Sequence, residues 1–138
     1  MELIPAARYT TDALQAHRLQ MDVVAQNLAN AQTTRDVDGQ PYQRRQVVFE
    51  SYLPKIGGME PQNTSRSVRV SEVSVDNTPG ERVYMPNHPH ADDNGMVALP
   101  NVKTAMEMVD LINVSRAYEA NLSVIRTSRQ MALQAMQI

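Results

Sequence analysis

Hydrophobic positions recur every three to four residues at both ends of this chain and lose that period in between. From Asn101 to Ile138 neither Pro nor Gly interrupts the sequence. There Met108, Leu111, Tyr118, Leu122, Ile125, Ala132 and Met136 fall on one heptad seam, broken by Ser115 and Arg129. This spacing predicts a helix of roughly 36 residues, about 54 Å long, with a seam of the coiled-coil type. A seam that long needs a helix of similar length to cover it, and the opposite end supplies one. Leu3, Ala7, Thr10, Leu14, His17, Met21, Val24, Leu28 and Ala31 follow the same alternation, with Leu14, Met21 and Leu28 its strong members. Pro5 suits a first helical turn, where its missing N–H costs nothing. Gln32 to Gly39 ends the pattern, so the first helix is expected over about 4–31.

The middle segment has a different character. All five Gly and seven of the eight Pro lie within 32–100. Asp38-Gly39 is a turn signal, and the stretch from Tyr42 to Tyr52, with Val47, Val48 and Phe49, is a strand candidate. Pro54 to Ser65, with Gly57-Gly58 and Pro61, is expected to be a loop. Ser67–Val75 is the clearest strand. Its valines change phase between Val70 and Val73, which predicts a bulge or a change of face at Ser71-Glu72. Asn77-Thr78-Pro79-Gly80 reads as a turn leading to a return strand at Arg82–Met85, the two forming a β-hairpin. Met96–Leu99 is expected to be extended. At the start of the last helix, Asn101 is a cap candidate and Thr104-x-x-Glu107 a competing capping box. The fold class is thus α+β. Long N- and C-terminal helices pair as a coiled coil over 1–32 and 101–138, around a small hairpin-rich middle segment at 33–100.

Composition narrows the function classes. The chain of 138 residues has one Phe and no Trp but nine Met, so rigid core residues are scarce and flexible ones fill gaps. Two imperfect seams and a small middle segment point to ends that fold fully only against neighbours. A net charge of −2 is too balanced for a nucleic-acid binder. The absence of Cys excludes disulfides, thiol catalysis and Cys-based zinc sites. No run of apolar residues is long enough to span a membrane. The N-terminus lacks a basic and then apolar signal-peptide pattern.

Little in the chain carries catalytic chemistry. His88-Pro89-His90-Ala91-Asp92-Asp93 gathers two imidazoles and two carboxylates, but Pro89 restricts the backbone, and the sequence reads as a polar loop rather than a metal site. There is no GxSxG elbow and no Gly-rich phosphate loop. Asp36/Asp38 and Asp92/Asp93 sit in turn sequences, where Asp is expected for structural reasons. Arg44-Arg45 beside Tyr42 reads as a solvated strand face, and His17 as a tolerated seam flank. Neither an enzyme, nor a cofactor, nor a small-molecule substrate is expected.

Gln26-Asn27-Leu28-Ala29-Asn30-Ala31, at the end of the expected first helix, is the first of four sequence blocks; it is similar to the N-terminal signature of the axial family of bacterial flagellar rod and hook proteins. Asp38–Phe49, Tyr84–Asp92 with Gly95-Met96-Val97 and Pro100-Asn101-Val102, and Glu107–Ile112 with Ser115–Asn121 follow in order. They narrow the resemblance to basal-body proteins of the proximal rod. Thr33-Thr34-Arg35-Asp36 stands where the wider family often carries a Thr-Pro-Gly-Tyr run. The resemblance implies a structural subunit of the drive shaft that transmits torque. It implies terminal helices that pack together to line an axial tube, with Leu14, Met21, Val24 and Leu28 against Met108, Leu111, Tyr118, Leu122 and Ile125. Its motif residues here are Asn27, Leu28, Ala29, Asn30, Arg116, Tyr118 and Asn121, and Asn27 and Asn30 are expected to bridge backbone groups where the first helix ends. The implied partners are other rod proteins and further copies of this chain, the MS-ring-to-rod adaptor and the flagellar export apparatus. Composition alone defaults to the cytoplasm. The resemblance implies instead export through the flagellar type III apparatus without a cleaved signal, and a place in the periplasmic rod. Another proximal-rod subunit, or a small coiled-coil dimeric binding module unrelated to flagella, are the alternatives.

Overall fold

The computed structural model describes the backbone of residues 3–8 and all atoms of 9–52 and 66–137. The side chains of Leu3 and Ala7 and the 54–65 loop of the sequence reading lie outside the described residues. Among the described residues six elements follow in order: α1 (Leu3–Ala29), β1 (Arg45–Tyr52), β2 (Ser67–Val75), β3 (Arg82–Tyr84), β4 (Met96–Ala98) and α2 (Thr104–Met136). The class is α+β, two helices with two small antiparallel sheets.

α1 begins at Leu3, with Pro5 in its first turn, and ends where Asn30 turns its amide back to donate to the Gln26 carbonyl at 2.9 Å. The same carbonyl accepts from the Asn30 backbone N–H at 3.0 Å, so residue 30 closes the last turn with both its main chain and its side chain. The Asn30 Oδ1 accepts from the Thr33 hydroxyl at 3.1 Å and steadies the exit. A turn over Asp36–Gly39 follows, closed by the Gly39 N–H donating to the Asp36 carbonyl at 2.9 Å. Gly39 sits at φ +75°, a conformation most residues avoid.

β1 and β2 pair antiparallel from Arg45↔Val75 to Tyr52↔Ser67. Val48 pairs with Glu72 and Phe49 with Val70, so Ser71 is skipped. That bulge stands where the valine phase shift predicts it. It lets Val68 and Val70 keep one setting and Val73 and Val75 the other without breaking the ladder.

The expected hairpin between Ser67–Val75 and Arg82–Met85 does not form. β2 spends its length on β1, a pairing prolonged by the Asp76 N–H donating to the Arg44 carbonyl at 2.8 Å. β3 pairs instead with β4, Val83 opposite Val97. The Asn77–Gly80 stretch is a connection rather than a hairpin turn, since Pro79 withholds a donor and Thr78 folds back onto the Asp76 carboxylate. Gly80 then passes so close to the chain after β4 that a Cβ there would lie 1.9 Å from the Leu99 carbonyl oxygen. Only glycine permits that approach, and it allows Leu99 N–H to donate to the Glu81 carbonyl at 2.8 Å. The β3–β4 loop is organised by Asp92, whose carboxylate accepts from the N–H groups of Asn94 and Met96 and pairs with Arg82.

α2 runs antiparallel to α1: Asn27 near the end of α1 meets Glu107 near the start of α2, and Met21 meets Ser115 further along. The other side of α1 faces the β1–β2 hairpin. There Asp12 accepts from the Tyr52 hydroxyl at 3.1 Å and from the Ser67 hydroxyl at 2.5 Å. His17, expected on the helix–helix seam, lies edge-on to Phe49 of β1 with ring centres 6.3 Å apart. α1 is therefore the central layer. Its buried Ala16, Val23 and Val24 join Tyr42, Val97 and Val114 as the small apolar core.

The start of α2 also departs from expectation. Lys103 occupies the N-cap position and makes no side-chain capping bond. Neither Asn101 nor Glu107 caps the helix, because both side chains are drawn into contacts across the fold.

Candidate assembly site at the junction of the terminal helices

Of the three buried polar side chains among the described residues, Asn27 and Glu107 converge where the end of α1, the start of β1 and the start of α2 meet. Asn27 is fully buried and Glu107 nearly so. The Asn27 Oδ1 accepts from the Tyr42 hydroxyl at 2.8 Å and from the Arg45 N–H at 2.9 Å. Its Nδ2 donates to the Arg45 carbonyl at 2.7 Å and to Glu107 Oε2 at 3.0 Å. Both lone pairs and both protons of the amide are thus used, the condition under which burying it costs little. Asn27 does bridge backbone groups, but those of β1 rather than of its own helix end.

Glu107 is held from its other oxygen by Arg44, whose Nε donates to Oε1 at 2.6 Å. A carboxylate this deep is tolerable only when paired and hydrogen-bonded. The Arg44 guanidinium also reaches Asp110 at 3.5 Å. Its backbone N–H donates to Asn101 Oδ1 at 2.7 Å, and Asn101 in turn donates to the Asp76 carbonyl at 2.8 Å. One connected set of bonds therefore fastens α1, β1, the end of β2 and the start of α2. The Arg45 guanidinium lies over the Tyr42 ring, 5.9 Å from its centre. Burial raises the Tyr42 phenol above its ordinary value, opposed by Arg45 and reinforced by the nearby Glu107 charge. Arg44 is not part of the solvated strand face the sequence suggests, since its side chain links the β segment to α2, whereas the Arg45 side chain stays exposed and joins the junction through its backbone.

Beside this junction a groove of about 680 Å³ opens between the 78–81 connection, the chain after β4 and the first turns of α2. Ala31, Leu99, Pro100, Val102 and Met106 give it an apolar floor, and Lys103 and Asp110 stand among its lining residues.

The seam residues divide. On α1, Val24 is buried, Leu14 and Leu28 are half-buried, and Met21 accepts a 3.7 Å contact from the Ser115 hydroxyl. On α2, Leu111, Tyr118, Leu122 and Ile125 are half-buried. Met108, expected beside them, is 50% exposed. The inward series instead takes Glu107 and Val114, the two buried residues of α2, which turns Met108 toward solvent. Of the motif residues, Asn27 enters the junction and Asn30 closes the helix. Ala29 and Arg116 are exposed, and Asn121 is half-buried. His90 shares a 2.7 Å hydrogen bond with Thr34, tying the β3–β4 loop to the chain after α1.

Sequence reasoning missed the role of Glu107. The signal was present: Glu107, Leu111, Val114 and Tyr118 keep a four-three spacing as regular as the seam read from Met108.

The exposed face of α2 mixes polar residues such as Asn113, Arg116, Glu119 and Arg126 with uncovered apolar ones. Met106, Val109, Ile112, Val124, Met131 and Leu133 are each about half exposed or more, and Met136 is 75% exposed.

Comparison with known proteins shows what kind of subunit carries this junction. The chain is 37% identical over its whole length to the flagellar basal-body rod protein FlgC of Borreliella burgdorferi, covering 98% of that protein. It is 39% identical to FlgC of Salmonella typhimurium over 90% of this chain and 88% of that one. With FlgC of Bacillus subtilis the identity is 36%, over 94% and 93% of the two chains. The chain belongs to the FlgC family of flagellar basal-body rod proteins. Its residues 9–35 also match the model of the flagella basal body rod protein, and 93–138 that of the flagellar basal body rod FlgEFG protein C-terminal region. In this FlgC-family chain the two matched regions hold Asn27 and Glu107, the two sides of the junction. As a member of the FlgC family it is a structural subunit of the flagellar basal-body rod.

Proposed function

We propose that this subunit serves in the drive shaft of the flagellum by packing its paired terminal helices, 1–32 and 101–138, into an inner coiled-coil layer that lines the axial tube. The 33–100 segment faces outward against adjacent rod subunits. Leu14, Met21, Val24 and Leu28 with Leu111, Tyr118, Leu122 and Ile125 hold the pair together within each subunit. The subunit reaches the periplasm through the flagellar type III apparatus without a cleaved signal. Its partners are other rod proteins and copies of itself, with the MS-ring-to-rod adaptor and the export apparatus at the base.

The observation that carries this reading is the row of uncovered apolar side chains along the outer side of α2. Half-exposed Ile112, Val109 and Val124 on one helix leave a surface that neighbouring subunits complete. Photo-cross-linking from positions 112 and 124 in motile cells tests it. Adducts with rod proteins are expected, and they should vanish in cells lacking the export apparatus. Self-adducts that form equally well in the cytoplasm without export would favour a free-standing coiled-coil dimer instead.

A further inference from the structure

The inward face of α2 is not the one its apolar residues alone would choose. Its two buried residues, Glu107 and Val114, define the series Glu107, Leu111, Val114, Tyr118, Asn121 and Ile125, whose other members are half-buried, as Ser115 and Leu122 beside them also are. A second series on the same helix shares Leu111, Tyr118 and Ile125 but replaces the others with Met108, Ser115 and Leu122. At about 100° per residue, exchanging one series for the other rotates α2 by about 50° about its axis. The second setting would place Met108 inward in place of a glutamate and carry Leu122, now half-buried, deeper than Asn121. Apolar burial favours that exchange. The structure nonetheless leaves Met108 half exposed and Glu107 with 1% of its surface accessible.

What opposes the rotation is the hydrogen bonding of one carboxylate. Glu107 receives Asn27 on one oxygen and Arg44 on the other, at 3.0 and 2.6 Å. Turned outward it would abandon an Asn27 amide proton in a site with no water-accessible surface, and an unmade bond there is costly. We propose that Glu107, held by Asn27 and Arg44, selects the rotational setting at which α2 packs on α1, and so determines which apolar side chains the subunit presents to its neighbours. A single buried polar group fixes register in the same manner in coiled coils whose apolar seam is ambiguous. Glu107 is a positioning residue: it acts by deciding where Met108, Val109 and Ile112 point.

The chain has no cysteine, so one introduced thiol reports its own exposure. Met108→Cys and Val114→Cys are prepared separately in the full chain, each with Glu107 intact, with Glu107→Leu and with Glu107→Gln. With Glu107 intact the thiol at 108 is expected to label fast and that at 114 slowly, since the native side chains are 50% and 4% exposed. Glu107→Leu should slow labelling at 108 and speed it at 114, each by about tenfold, the shift expected when one of two settings replaces the other. Glu107→Gln, which keeps an acceptor oxygen, should stay close to the parent at both positions. Loss of packing alone moves both rates upward, so only rotation gives opposite signs. Unchanged rates at both positions, acceleration at both, or equal shifts for Leu and Gln would each overturn the proposal. So would a thiol at 114 that labels as fast in the intact protein as in denaturant. The labelling needs no assembly, and its outcome is therefore separate from that of the cross-linking.

Discussion

Tyr42 shows how much of this subunit rests on single hydrogen bonds. Its hydroxyl donates to an Asn27 oxygen that no water reaches, and the ring is covered by Arg45. The folded chain holds the phenolic proton more tightly than the unfolded chain, because burial and the Glu107 charge both disfavour the phenolate. The resulting contribution is complete below the ordinary value of 10.0 and is lost as the pH rises through the higher folded value. Thermal melting of the purified protein should therefore fall at strongly alkaline pH, and Tyr42→Phe should reduce that fall. At neutral pH the same substitution should destabilise the fold by roughly 0.5–1.5 kcal/mol, the usual worth of one such bond. At this scale the sequence was least legible. Asn27 announces a family but not its four partners, and Arg44, Glu107 and Asn101 look like surface residues until the chain folds. Their roles depend on which distant segments meet, and a linear pattern does not record that.

At the scale of elements the sequence says more, and its failures have a common cause. Both helices, the β2 strand and the Ser71 bulge follow from local periodicity and the positions of Gly and Pro. Strand partners do not follow, because pairing is a competition between distant segments. β1 offers β2 a ladder along its whole length, whereas β3 offers three residues, and the longer ladder wins. The same logic explains the missing cap on α2. A glutamate that might close a capping box serves better against Arg44 and Asn27. An uneven helix pair results. The two buried residues of α2, Glu107 and Val114, both lie in its first half, while Val124, Met131, Leu133 and Met136 in the second half are widely exposed. Hydrogen exchange of the free protein should accordingly be slow over 107–118 and fast over 125–136. Uniform protection along α2 would show instead that the pair needs no further cover.

The molecule as a whole has more apolar surface than it has core. Among the described residues six apolar side chains are buried, none larger than Tyr42, while several apolar side chains of α2 and the valines of β1 and β2 stay partly exposed. The scarcity of Phe and Trp makes this shortage visible in composition alone. On the proposed packing, the seam residues serve assembly as well as folding. Leu28→Asp and Leu122→Asp each put a charge on a half-buried helix position, and cells carrying either should lose swimming while still producing the protein. Normal swimming in both would mean that neither position lies in a packed seam.

The junction also sets an order of events. Asn27 and Glu107 are 80 residues apart, and the three bonds to Tyr42 and Arg45 leave the Asn27 amide one partner short. A ribosome releasing the chain from its N-terminus must finish more than three-quarters of it before that vacancy can be filled. Until the last third emerges, α1 and β1 have only a provisional arrangement. The final segment thus acts as a late signature on the fold, and a truncated product that stops short of it is left recognisably incomplete to any protease or chaperone that inspects it.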